Sequence, residues 1–171
     1  MILDINGKYA PAILFLISGY LLWDKNTALF YYTFGFFINM LMNLVLKGTL
    51  QEPRPDINET HFKLLLTHGK RFIIKNGLPY DIFGMPSGHT QSCFFSTLYI
   101  YLTIQNYRIL LIYLLLCLCT MYQRIAYNHH TLLQVIMGGV VGIFLGYITF
   151  HLYSQSLKGK LDERSDDYAS N

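Results

Sequence analysis

The chain has 171 residues, 53% of them hydrophobic and only 13% charged, where ordinary soluble domains carry roughly a quarter charged. With 16% aromatics this is the composition of an integral membrane protein of one domain, and it excludes an ordinary water-soluble enzyme. A formal net charge of +3 without a long basic run gives no footing for nucleic acid, and Cys93, Cys117 and Cys119 lie inside apolar segments as neither a disulfide framework nor a Cys-x-x-Cys metal pair.

Residues 1–9 are a short polar start, followed by an apolar run from Ala10 to Trp23 that is short for a membrane crossing. No basic stretch precedes that run, so no cleavable signal peptide is expected. Asp24-Lys25-Asn26 marks a turn, and Ala28 to Leu46 then reads as a full span. Residues 47–85 form a long polar connection. Within it Asn58-Glu59-Thr60 can start a helix that sets Phe62, Leu65, Leu66, Phe72 and Ile73 on one face and Lys63, Lys70, Arg71 and Lys75 on the other. That pattern fits a helix lying at the bilayer surface, although Leu64, Gly69 and Ile74 break it, and an irregular loop is the alternative.

Gly84-Met85-Pro86-Ser87-Gly88-His89 then turns into an apolar segment, Ser92 to Ile104. Proline disfavours helix at the residue before it and suits a first turn, so Ser87, Gly88 and His89 stand near a helix N-terminus, where free N–H groups favour an anion. Tyr107 to Tyr122 and Thr131 to Tyr153 are two further spans, making five. The expected fold is therefore an all-α, polytopic transmembrane bundle. It comprises one domain over 1–157 and a polar, disordered tail over 158–171. Gly138, Gly142 and Gly146 form a small-residue stripe in the last span, suited to close helix packing within the chain or to a homodimer seam.

Five spans also fix relative sidedness. The connections 47–85 and 123–130 are separated by two crossings, so both emerge on the side of the N-terminus. They carry Lys47, Arg54, Ser87, Gly88, His89, Arg124 and His130, with Gln134 one helical turn beyond His130. Each has an ordinary alternative: Lys47 can snorkel, Arg54-Pro55 can be a loop pair, Arg124 an interfacial anchor and His130 a helix start. Gathered at one face, they instead describe an anion site. Cations and oriented N–H donors suit an anion with several oxygens, and two histidines can run phosphoryl transfer in two steps.

In order and spacing, Lys47-x6-Arg54-Pro55, Pro86-Ser87-Gly88-His89 and Arg124-x5-His130 resemble the three signature motifs of the type 2 phosphatidic acid phosphatase (PAP2) superfamily. The resemblance covers about residues 28–153. It implies a membrane phosphatase that acts on lipid phosphates without a metal or other cofactor. His130 would be the nucleophile and His89 the general acid, while Lys47, Arg54, Ser87, Gly88 and Arg124 would hold the phosphoryl oxygens. His129 competes as a nucleophile on chemistry alone, but the motif spacing favours His130.

Two positions depart from the family pattern. Gln123 replaces the usual serine, and Gln134 replaces the aspartate that usually follows the nucleophile by four residues. A glutamine oxygen can still orient the imidazole but adds no charge. On sequence alone, Gln134→Asp is expected to leave the protein active or improve it. The stretch His129-His130-Thr131-Leu132-Leu133-Gln134-Val135, with Gln91 and Phe94-Phe95, is similar to the dolichyl-diphosphatase group. That implies a polyprenyl diphosphate substrate, with phosphatidic acid or a similar lipid phosphate as the alternative and a silent scaffold as a third reading. Lysine and arginine outside the motifs divide evenly between the two sides, so charge does not orient the chain; the resemblance places the active face in the endoplasmic reticulum lumen or outside the cell.

Overall fold

A computed structural model describes residues 2–75 and 77–168, with side chains from Gly7 to Gly159. In chain order the elements are α1 (Ile2–Leu21), α2 (Asn26–Leu50), a short α3 (Glu59–Thr67), the strands β1 (Phe72–Lys75) and β2 (Leu78–Asp81), α4 (Gly88–Ile104), α5 (Tyr107–Ala126) and α6 (Leu132–Tyr168). The five long helices pack as one bundle with α4 at its centre, against α1, α2, α5 and α6. The protein is thus an all-α, multi-pass membrane bundle with one small hairpin at its edge. Among the described residues three helices, α2, α5 and α6 as far as Gly159, are long and apolar enough by themselves to cross a membrane. The first apolar run, short in sequence, lies as far as Leu21 in a 20-residue helix, long enough to reach across about 30 Å of hydrocarbon.

The exposed surface explains why these sequences need lipid. Phe30, Phe34, Phe37 and Leu41 on α2, Leu111, Leu115, Leu118 and Tyr122 on α5, and Val140, Phe144 and Tyr147 on α6 all point outward. Rows spaced three and four residues apart would face a core in a soluble protein. Here they line the outside, and the polar residues are inside. On α4, Thr90, Gln91, Ser92, Ser96 and Thr97 are buried beside Cys93, Phe95 and Tyr99. A helix surrounded by protein can carry them because its neighbours satisfy them. Tyr32 and Ser96 hydroxyls pair at 2.9 Å, Tyr99 donates to the Ala28 carbonyl at 2.8 Å, and Ser18 pairs with Tyr113 at 3.0 Å.

The glycine stripe of α6 faces α4. A Cβ at Gly138 would stand 2.5 Å from the Ser87 carbonyl oxygen and one at Gly146 2.9 Å from that of Phe95, while one at Gly142 would collide with the Gln91 carbonyl oxygen. The missing side chains let two backbones touch within one chain. That face is covered by α4, which is the packing within the chain that the stripe suited; the alternative of a homodimer seam on Gly138, Gly142 and Gly146 is not shown.

The 47–85 connection departs from the expected surface helix. Asn58 caps α3 by accepting from the Thr60 N–H at 2.9 Å, and Phe62 and Leu65 bury against Ile82 and Phe83. The helix stops at Thr67 because Gly69 takes a left-handed φ of +64° and turns the chain away. Phe72, Ile73, Ile74 and Lys75 then pair antiparallel with Asp81, Tyr80, Pro79 and Leu78, closing across a turn where Gly77 has φ +77°. At the base of this hairpin, Pro53 bridges Phe83, the Arg54 N–H donates to Ile82 and the Gly84 N–H donates to Glu52. These bonds tie the first motif to the second. At the other end of the chain, α6 runs on past Lys158, where the sequence reading began a disordered tail; residues 169–171 lie outside the described residues.

Candidate active site

One end of the bundle holds a cavity of about 540 Å³ whose lining includes Lys47, Arg54, Gly88, His89, Arg124 and His130, together with Lys8, Gln123, His129 and Tyr80. The same-side expectation therefore holds: the end of α2, the start of α4, the end of α5 and the turn before α6 meet over one space. Lys8 adds the beginning of α1. Ser87 and Gln134 are fully buried behind the wall.

Each functional side chain is placed by its local structure. Lys47, in the last turn of α2, is buried and donates to the Phe83 carbonyl at 2.7 Å, with the Asp81 carboxylate 3.9 Å away. Asp81 is itself engaged by Arg71 at 3.0 Å, which also reaches the Leu44 carbonyl at 2.9 Å and so fastens the hairpin to α2. Arg54 donates from Nε to the Asp81 carbonyl at 2.7 Å and lies 4.4 Å over the Tyr80 ring. Such clamping removes much of the conformational freedom a surface arginine would lose on binding an anion.

The turn before α6 places His130. Asn128 takes φ +57°, and the N–H groups of His129 and His130 both donate to the Arg124 carbonyl, at 3.0 and 3.1 Å. This folds the chain back over the end of α5. His130 then stands with Nδ1 3.1 Å from the Gln134 amide oxygen and Nε2 3.1 Å from the Arg54 guanidinium. Arginine can only donate, so Nε2 must accept and the ring proton resides on Nδ1. Burial, then the positive fields of Arg54 and Lys47, pushes the imidazole pKa down to about 2. His130 is thus a neutral base whose unprotonated Nε2 accepts from Arg54 at the cavity. Burial likewise lowers His129, but its ring stacks on Tyr127 and its Nδ1 has no hydrogen-bond partner, while its carbonyl accepts from Arg54 at 3.3 Å.

His89 lines the same cavity from the first turn of α4 and is hydrogen-bonded by the main chain of Lys8. Gly88 precedes it; a Cβ there would stand 2.9 Å from the Asn43 amide oxygen. Asn43 in turn donates to Gln91 at 2.8 Å and to the Pro86 carbonyl at 3.2 Å, locking the α4 start against α2. Ser87 has a different position from the one expected. Its N–H donates to the Gln134 carbonyl at 2.9 Å and its hydroxyl pairs with Thr90 at 3.1 Å, so it anchors the helix start and does not line the cavity.

Sequence reasoning missed Glu52 and Gly84, both in contact with the Gln134 amide, and Lys8, Asn43 and Tyr80 around the cavity. Only Gly84 carried a signal, as a glycine beside the second motif. The rest depend on contacts between distant segments. Among the described residues no group of three or more His, Cys, Asp or Glu side chains could hold a metal ion.

A second, mostly apolar cavity of about 520 Å³ lies beside the first, between α1 and α2. Phe15, Phe36, Met40 and Leu44 line it, and it shares Lys8, Asn43, Gly88 and His89 with the charged cavity. A charged pocket thus lies next to a greasy one at this end of the bundle.

A family model of the PAP2 superfamily matches residues 28–158. The chain belongs to the PAP2 superfamily. The matched residues include all three motifs and both histidines. The dolichyldiphosphatase of Saccharomyces cerevisiae is 30% identical over 131 residues, covering 70% of this chain; the chain spans 49% of that relative's length. The crystal structure of Aquifex aeolicus LpxE superposes with a TM-score of 0.63 at 20% identity, covering 88% of this chain and 86% of that one, which shows a shared fold.

Proposed function

We propose that this PAP2 phosphatase removes the terminal phosphate of a polyprenyl diphosphate by way of a phosphohistidine on His130. The observation that carries the reading is the unprotonated Nε2 of a neutral His130, which accepts from Arg54 at the wall of the cationic cavity and is released to phosphorus when Arg54 turns its donor to a phosphoryl oxygen. Nε2 attacks the terminal phosphorus, and the bond from that phosphorus to the bridging oxygen breaks. Burial and Arg124 keep His89 neutral before substrate binds; protonated as the anionic substrate enters, it gives that proton to the departing oxygen, leaving a neutral ring and releasing the prenyl monophosphate. His89 then takes a proton from water as that water attacks the phosphohistidine; the P–N bond breaks, phosphate leaves and the neutral imidazole returns.

Lys47, Arg54, Arg124 and the N–H groups at the start of α4, Gly88 among them, hold the phosphoryl oxygens, whose charge grows in the transition state. The apolar cavity beside His89 takes the first isoprene units while the remainder of the tail stays in lipid. The likeness to a dolichyldiphosphatase favours the diphosphate over phosphatidic acid.

The test is phosphate release by purified protein in detergent, with chelator present, from polyprenyl diphosphate and from phosphatidic acid. Release from the diphosphate by the wild type, unaffected by chelator and abolished in His130→Ala, is the expected result. Preference for phosphatidic acid would move the substrate to the alternative reading. Release that survives in His130→Ala would refute the nucleophile.

A further inference from the structure

The Gln134 amide is fully buried and every one of its hydrogen-bonding positions is filled. Its oxygen accepts from His130 Nδ1 at 3.1 Å and from the Thr131 N–H at 3.2 Å. Its nitrogen donates to the Glu52 carboxylate at 3.0 Å and to the Pro53 carbonyl at 2.9 Å. The amide cannot be turned over. The reversed oxygen would face a carboxylate and a carbonyl, and the reversed nitrogen would face the Thr131 N–H. A reversed amide would also force the imidazole proton onto Nε2, against the Arg54 donor. Gly84 packs flat on the same group, where a Cβ would stand 2.5 Å from the Gln134 oxygen.

We infer that Glu52 is a positioning residue for His130, supplying through the Gln134 amide the negative charge that this chain lacks at position 134. The inference rests on the proposed role of His130. When Nε2 bonds to phosphorus the ring becomes cationic, and its remaining N–H needs a stronger acceptor than a neutral amide. A carboxylate hydrogen-bonded to the amide N–H polarises it and makes the oxygen a better acceptor, as hydrogen bonds in a chain strengthen one another. Glu52 is held to do this by its own backbone, since its carbonyl accepts from the Gly84 N–H at 2.7 Å. The charge sits one residue further from the imidazole than an aspartate would place it.

The test compares Glu52→Gln, Glu52→Asp and Gln134→Asp with the wild type, by phosphate release from polyprenyl diphosphate and by the 15N resonances of His130 in histidine-labelled protein. Glu52→Gln keeps an acceptor and removes the charge, so kcat is expected to fall about 10–100-fold with KM within about twofold, the usual scale for losing an outer carboxylate. Its His130 is expected to show Nε2 partly protonated, where the wild type shows Nδ1 protonated alone. Glu52→Asp keeps the charge and is expected to recover at least part of the loss. Gln134→Asp sets a second carboxylate opposite Glu52 and the Pro53 carbonyl, so it is expected to lose activity, contrary to the expectation from sequence alone.

A Glu52→Gln protein with wild-type kcat and an unchanged His130 spectrum would overturn the inference, as would Glu52→Asp performing no better than Glu52→Gln. If the wild type released no phosphate from any lipid phosphate, the proposed function would fail. The His130 spectra of wild type and Glu52→Gln would still decide whether Glu52 sets the tautomer.

Discussion

At His130 the ring proposed to attack phosphorus is also a ring the fold keeps uncharged, and this has a consequence for stability. In the unfolded chain an ordinary histidine takes up a proton near pH 6.5. In the folded protein burial and the nearby cations hold the His130 pKa far below that value. The unfolded state therefore binds the extra proton, and folding stability is lost as the pH falls below 6.5. The contribution is about 1.4 kcal/mol for each pH unit below that point. Thermal unfolding in detergent between pH 7.5 and 5 should show a steeper loss for the wild type than for His130→Asn; parallel curves would contradict a neutral, buried imidazole. Much of this site was legible in the sequence because the motifs are local: Lys47 with Arg54, Gly88 with His89, and Arg124 with His130 stand at fixed spacings. The orienting role of the Gln134 oxygen could also be anticipated, as a helix sets residues four apart on one face. Its other half could not. Glu52 lies 82 positions from Gln134, and no periodicity links them. Ser87 was assigned to phosphate for its motif, but its N–H and hydroxyl are engaged within the fold.

Among the elements, α4 differs from the other long helices in a way that makes it useful. A helix enclosed by four others needs no lipid-facing surface, so its serines, threonines and glutamine lower its apolarity without preventing burial. Its closeness to α6 depends on the glycine stripe. Gly142→Leu would drive a side chain into the Gln91 backbone and separate the two helices that carry His89 and Gln134. A loss of folded protein by several degrees of melting temperature is expected, whereas the same change at Gly19, which has open space around it, should be tolerated. Equal melting temperatures would show that α4 and α6 are not packed this way. The hairpin was missed although its signal is present: Asn76-Gly77 between Ile73-Ile74 and Leu78 is a strong short-range sign of a two-residue turn. A helical spacing of apolar residues across Gly69 concealed it.

For the molecule as a whole, three motifs separated by long stretches of chain converge because two connections leave the bundle at the same end. The hairpin base then joins the first motif to the second by backbone bonds, and the Arg124 carbonyl folds the third over them. The charged cavity lies beside an apolar one with which it shares Lys8, Asn43, Gly88 and His89, an arrangement that suits the proposed lipid phosphate. The most direct measurement is to mix the protein with polyprenyl diphosphate labelled in its terminal phosphate, quench within milliseconds and locate the label. An alkali-stable, acid-labile phosphoryl group on Nε2 of His130, absent from His130→Ala, is the expected result. Label on His129, or turnover by the wild type with no phosphoenzyme at any quench time, would contradict it.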